Sequence, residues 1–238
     1  MLIHVGKNRN VAIDLRLAIW LSLVAGAVNA AGFRALGYFS ANMTGNVSTA
    51  SDMLALGRWL SALWFLSLLA AFVAGAAVSA LLIDAGRARR IHGVYALSIV
   101  AEAVLLLILA ALDLAFPIAV GGRVMMVGLS FLMGVQNAAT TRISDGRVRT
   151  SHVSGIATDL GIELAAVLRR GNAQGARATA MRSRLKLHAA TLAAFFGGGV
   201  AGVLGYERIG PWVFVLVAVV LLALALPELR RVHGAGAR

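Results

Sequence analysis

LSLVAGAVNAAGFR, residues 21–34, recurs as LSFLMGVQNAATTR at residues 129–142, with seven identities in fourteen positions and no gap. The shared residues are Leu, Ser, Gly, Asn, two Ala and Arg. Two further matches follow in the same order. FSANMTGNVSTAS (39–51) falls on RTSHVSGIATDLG (149–161), where Gly45 and Gly155 are identical and Thr44/Ser154 and Ser48/Thr158 keep hydroxyls. LAAFVAGAAVSAL (69–81) falls on LAAFFGGGVAGVL (192–204) with six identities in thirteen. Apolar bias inflates each match, but it does not explain their common order along the chain. The offset grows from 108 to 110 to 123, which places an insertion in the polar segment 169–184. The chain therefore divides into halves of about 12–115 and 118–229 within one membrane domain, 1–238.

The composition is that of an integral membrane protein. Mean hydropathy is +0.84, and 60% of the 238 residues are hydrophobic. Apolar runs at 17–33, 60–83, 94–114, 118–139, 185–205 and 211–227 are each expected to cross as a helix. A hydrocarbon core of roughly 30 Å needs about 20 residues at about 1.5 Å each. The polar-fronted segments 45–57 and 155–168 have helix-compatible composition, but they reach only about 18–21 Å. Val28-Asn29-Ala30 mimics a small-x-small signal cleavage site, yet the copy of the same residues at 136–138 argues that the first span is retained. Cysteine is absent, which excludes disulfides, thiolate metal sites and Cys nucleophiles.

Charge orients the spans. With six crossings and the amino terminus inside, 18 of the 22 Lys and Arg residues fall on the cytoplasmic side, and only Arg34, Arg58, Arg123 and Arg208 fall outside. Allowing the short segments to cross would turn Arg87, Arg89 and Arg90 outward, against the rule. Three crossings per half is an odd number, so the second half inserts upside down relative to the first. The expected fold is all-α, six transmembrane helices as an inverted 3+3 repeat, with two short re-entrant half-helices. Both termini are expected on the cytoplasmic side of the membrane.

Re-entry accounts for the polarity of 39–51. Irregular backbone at membrane depth survives only when it is buried in protein or lines a wet cavity. The chain is expected to dip back from near Arg34, turn at Thr44-Gly45-Asn46 and return as a half-helix to Arg58. Its copy enters from the other face, turns at His152-Val153-Ser154-Gly155 and ends at Arg169-Arg170. Both half-helices then aim amino termini at the centre, an arrangement that favours an anionic or strongly dipolar neutral solute. Asn29, Asn42, Thr44, Gly45, Asn46, Gln136, Asn137, His152, Ser154 and Gly155 are the candidate solute-binding or pore residues. Asn29 and Asn137 either touch solute or only bond a neighbouring helix. His152 is either a gate or proton carrier, or a hydrogen-bonded turn histidine.

At these residues the chain resembles a known family. FSANMTGN after the first span, MGVQNA (133–138) in the fourth and HVSG (152–155) after it resemble the YoaK-like bacterial transmembrane proteins, an uncharacterised family of about this length. The resemblance covers nearly the whole chain. It implies a six-helix bacterial membrane protein and carries no established activity, substrate or site residues. Ser154-Gly155 stands where the first element would suggest Thr-Gly.

Glu102 lies in the middle of the third span, where a carboxylate is expensive; it is either a coupling residue or a neutral or paired structural carboxyl. Asp52, Asp159 and Glu163 fall on the short segments and are expected to pair with nearby Arg. Ala71, Gly75 and Ser79, with Gly198 and Gly202, are spaced to let helices approach closely. The run Arg169 to Lys186 reads as a solvated cytoplasmic loop touching anionic lipid, and a net charge of +12 reads as topology and not as nucleic-acid binding. No Walker loop, HExxH, GxSxG or metal-spaced cluster is present, so no enzyme activity, cofactor or metal is expected. The reading is a transporter or channel for a small solute. Its alternatives are a non-transporting scaffold or lipid-binding protein and, behind that, an intramembrane enzyme. Homo-oligomerisation is left open.

Overall fold

The computed structural model describes residue 2 and residues 11–91, 93–116, 118–170 and 175–235. Lys7, Arg9 and Arg238 of the basic termini and residues 171–174 of the polar insertion lie outside the described residues. The rest forms eight helices: α1 (Val11–Leu36), α2 (Met43–Ala55), α3 (Trp59–Ala88), α4 (Val94–Ala115), α5 (Ile118–Ile143), α6 (Val153–Arg170), α7 (Ala176–Ile209) and α8 (Trp212–Ala235). No strand occurs among the described residues.

Six of these helices, α1, α3, α4, α5, α7 and α8, are long and apolar enough to cross a membrane. Five contain an expected run and extend past it, and α8 begins one residue inside the run 211–227 and extends past its end, because backbone hydrogen bonding does not stop where the side chains turn polar. The two short helices, of 13 and 18 residues, start at Met43 and Val153, two residues before the expected 45 and 155. Thr44-Gly45-Asn46 and Ser154-Gly155 are thus first-turn residues, and the turns themselves lie upstream. The reason is a cap: Asn42 Oδ1 accepts the Gly45 N–H at 3.0 Å, so the helix nucleates on Asn42.

Packing follows the repeat. Helix α1 packs against α7, and α5 packs against α3; α2 rests on α3 as α6 rests on α7; α4 meets α8. Exchanging the halves leaves this set of pairings unchanged. Burial repeats as well: α1 and α5 bury 56% and 61% of their most apolar stretches, α3 and α7 22% each, and α4 and α8 44% and 39%. Hence α1 and α5 form the middle of the bundle, and α3 and α7 present apolar surface outward, including Leu60, Leu81 and Phe196.

Close helix contact depends on glycine where lipid gives no hydrophobic drive for association. A β-carbon on Gly26 would collide with the Phe195 carbonyl, and one on Gly134 with the Phe72 carbonyl. Gly198 lies as tightly against Leu23, and Gly75 against Phe131. Gly26/Gly134, Phe195/Phe72, Gly198/Gly75 and Leu23/Phe131 are all repeat equivalents, so one crossing is built twice. The ends are fastened in the same way: Arg34 pairs with Glu207 across α1 and α7, and Arg142 with Asp84 across α5 and α3. Because α1 and α7 meet at their carboxyl-terminal ends there, they run parallel. By contrast α1 and α5 run antiparallel, with Gly32 against Leu129 toward one end and Asp14 paired to Arg147, just past α5, toward the other.

Candidate functional site

Past Leu36 the chain doubles back along α1. The Ala41 N–H donates to Asn29 Oδ1 at 2.8 Å, and Asn29 sits seven residues, about 10 Å, inside the end of α1. After α5 the copied segment meets the copied asparagine: the Ser151 hydroxyl donates to Asn137 Oδ1 at 3.0 Å. Each asparagine therefore holds the segment that leads into a short helix, and the starts of α2 and α6 come together.

Between them lies a cavity of about 750 Å³. Of the fourteen residues that line it, twelve form six repeat-equivalent pairs: Asn29/Asn137, Ala41/Ser151, Asn42/His152, Met43/Val153, Thr44/Ser154 and Phe72/Phe195; Phe39 and Ala157 complete the wall. Six of the ten sequence-derived candidates thus meet in one place. Gly45 and Gly155 lie behind the wall, where a β-carbon would strike Asn42 and His152 respectively, so they support the lining residues. Asn46 and Gln136 do not reach the cavity. Both are buried, Asn46 with its amide nitrogen unpartnered and Gln136 with its oxygen accepting from Thr150 at 3.3 Å.

The cavity's side-chain amides leave more donors than acceptors. The three asparagine oxygens are taken inside the protein, Asn29 Oδ1 by Ala41, Asn42 Oδ1 by Gly45 and Asn137 Oδ1 by Ser151, while the His152 ring nitrogens have no partner among the described residues. Donors are left over, namely Asn29 Nδ2, Asn42 Nδ2 and the N–H groups of Met43, Thr44, Val153 and Ser154, none with a partner among the described residues. The Thr44 and Ser154 hydroxyls add adaptable donors. Asn137 Nδ2 is taken by the Met133 carbonyl at 2.7 Å. No carboxylate, Lys or Arg lines the wall.

His152 has a second face. It also lines a polar cavity of about 150 Å³ with Arg147, Arg149, Asp159 and His188. The short-helix acids do not find arginine as expected. Glu163 bonds the imidazole of His188, which α7 places 3.0 Å away, and Asp52 has no ion pair among the described residues. Phe72 and Phe195, which are not among the ten candidates, also line the wall, and their identity in the quoted repeat is the sequence signal that marks them.

Glu102 lies elsewhere. It is buried on α4, and its carboxyl faces the Gln136 side chain, while both carboxyl oxygens and Gln136 Nε2 lack a hydrogen-bond partner among the described residues.

The chain belongs to the family described as protein of unknown function (DUF1275), whose model matches residues 17–226. No curated protein and no solved structure matches it.

Proposed function

We propose that this protein is a transporter or channel for a small anionic or dipolar neutral solute, which passes through the cavity between the starts of α2 and α6. The observation that carries the reading is the wall built from six repeat-equivalent pairs, since the axis relating inverted halves lies in the membrane plane and a path through both halves crosses it near the midplane. The antiparallel course of α1 and α5, with the exchange-invariant helix pairings, supports an inverted 3+3 repeat. The Asn29–Ala41 bond supports re-entry of the segment before α2, because it sets that backbone about two turns inside the end of a spanning helix. The resemblance to YoaK-like proteins is consistent with the family shown, and with a multi-pass protein of the bacterial inner membrane.

The donor surplus supports the solute class. Outward N–H and hydroxyl groups, with helix amino termini behind them, suit a solute that brings acceptors and repel a bare cation. Held by partial charges alone, an anion is stabilised without a fixed counter-charge that would trap it. Catalysis is the weaker reading: the His152 side chain makes no hydrogen bond among the described residues, so neither Ser151 nor Ser154 has an activating base. The distribution of Lys and Arg supports cytoplasmic termini, with the cationic ends of the helices against anionic lipid.

The test is flux in proteoliposomes. Stopped-flow light scattering separates the classes, with potassium chloride, nitrate and formate plus valinomycin to carry the counter-ion, with urea and glycerol, and with potassium thiocyanate without valinomycin, whose anion crosses lipid unaided so that swelling reports a potassium path. Protein-dependent swelling is expected in the first or second group and not in the third. Flux no faster than in empty liposomes for all three groups would leave the scaffold reading standing.

A further inference from the structure

A groove of about 410 Å³ opens between α3, α4 and α5 and shares no residue with the central cavity. Its wall is largely apolar, from Val78 and Leu82 of α3, Leu97 and Leu105 of α4 and Val135 of α5. Two polar side chains stand out within it, Glu102 and Ser79, each 1% exposed. Apart from Gln136, whose side chain the Glu102 carboxyl faces, neither oxygen of that carboxyl nor the Ser79 hydroxyl has a hydrogen-bond partner among the described residues. Buried polar groups without partners are costly, a carboxyl most of all, and structures retain them where something else completes the bonding. The repeat position of Glu102 carries no acid, so the two-fold architecture does not demand this carboxyl.

We propose that this groove binds a membrane-dissolved single-chain amphiphile with a primary ammonium head. The chain lies against the apolar wall, and the head donates to Glu102 and Ser79. An ammonium brings three donors and the charge opposite to a carboxylate; an alcohol head brings one donor and no charge, and an anionic head is repelled. Arg89 stands at the rim and opposes a cation arriving along that end of α3, so the ligand enters sideways from the hydrocarbon, where Val78, Leu82 and Leu97 are exposed. The site has a route to the rest of the molecule. Gln136, which Glu102 faces, accepts a hydrogen bond from Thr150, and Thr150 adjoins Ser151, which is bonded to Asn137 in the central cavity.

The experiment is equilibrium binding of radiolabelled dodecylamine to the full chain in phosphatidylcholine nanodiscs, with dodecanol and dodecyl sulfate as probes of matched chain. Dodecylamine is expected to show a saturable component near one per chain, about tenfold or more tighter than either other probe. Glu102→Gln should weaken it by about tenfold or more, and Ala101→Trp should abolish it by filling the groove from its exposed edge while leaving the carboxyl in place. Leu204→Trp, an exposed substitution on α7, should leave it unchanged. Equal saturable binding of all three probes would show an acyl-chain groove without head selection and overturn the proposal. So would unchanged dodecylamine binding in Glu102→Gln or in Ala101→Trp, and the latter decides the matter if Glu102→Gln fails to fold. Flux through the central cavity plays no part in this readout, so the site stands or falls separately from the permeation pathway.

Discussion

Asn29 on α1 holds the backbone of Ala41 through a single side-chain oxygen, 2.8 Å from the Ala41 N–H, and leaves its amide nitrogen facing the cavity. One residue thus combines a structural bond and a solute-facing donor, and the two roles separate chemically. Asn29→Asp keeps an oxygen for Ala41 and replaces the donor with negative charge. It should fold with a melting temperature near that of the parent while anion flux per folded molecule falls by about tenfold or more. Asn29→Leu removes both roles, and it should also cost about 1–3 kcal/mol by leaving the Ala41 N–H unpaired. Flux that tracks folded protein in both variants would mean that Asn29 is a helix tether only.

The duplicated crossing predicts matched losses. Gly26→Ala and Gly134→Ala each drive a methyl group into a facing carbonyl, of Phe195 and of Phe72 respectively, and backbone cannot move aside as a side chain can. Each should destabilise the protein by about 1–3 kcal/mol or prevent its assembly. Gly199→Ala, whose methyl would sit 3.6 Å from the Ala30 β-carbon, should be close to neutral. Thermal unfolding of the three variants in one detergent makes the comparison; equal loss at Gly199 would dissociate the effect from the crossing.

Much of this arrangement was legible in the sequence because the same pattern occurs twice. The six spans, the short helices and the equivalence of Asn29 with Asn137 could all be read from residue type and order. What stayed hidden depended on distance along the chain or on helix phase. Arg34 and Arg142 are an identical pair in the quoted repeat, but their partners Glu207 and Asp84 lie outside the aligned segments. Gln136 directly precedes Asn137, yet a step of about 100° around the helix turns it away from the cavity and toward Thr150 and Glu102. Both α2 and α6 begin two residues before the position that composition suggests, and at α2 the reason is that Asn42 lines the cavity and is also the cap on which the helix begins.

Orientation is testable on an unmodified background, since the chain has no cysteine. A single cysteine at Leu56, exposed between α2 and α3, should react with an impermeant maleimide on intact spheroplasts. One at Ala88, at the end of α3, should react only after the membrane is opened. The opposite pattern would overturn the orientation drawn from the arginines, and labelling of both on intact cells would contradict a single crossing by α3.

Gly45 and Gly155 should act through the side chains in front of them. A side chain at Gly45 must displace Asn42, which costs the cap about 0.5–2 kcal/mol and pushes the amide into the cavity. Gly155→Leu must displace His152 in the same direction. Flux per folded molecule should be lost in Gly45→Leu and Gly155→Leu. In Gly45→Leu it should partly return when Asn42 is shortened to Ala, because the displaced group is then gone. If the double variant is as inactive as Gly45→Leu, the leucine itself blocks the path.

His152 separates the central cavity from the polar cavity lined by Arg147, Arg149, Asp159 and His188, since it is the residue common to both walls that projects a long side chain. Its repeat partner, Asn42, lines the central cavity with a smaller group. If the imidazole is a partition, the outcome depends on volume and not on acid–base chemistry. His152→Asn, which installs the partner residue, should retain flux close to that of the parent. His152→Ala should join the two cavities, raise the rate for the native solute class and admit larger members of it, such as propionate beside formate. His152→Trp should close the connection while leaving the fold intact, because the ring has about 150 Å³ of adjoining space to occupy. The series is measured by stopped-flow swelling per folded molecule, with melting temperature as the control for folding. Loss of flux in His152→Asn equal to that in His152→Trp would reject a steric partition and point instead to the imidazole's own proton chemistry.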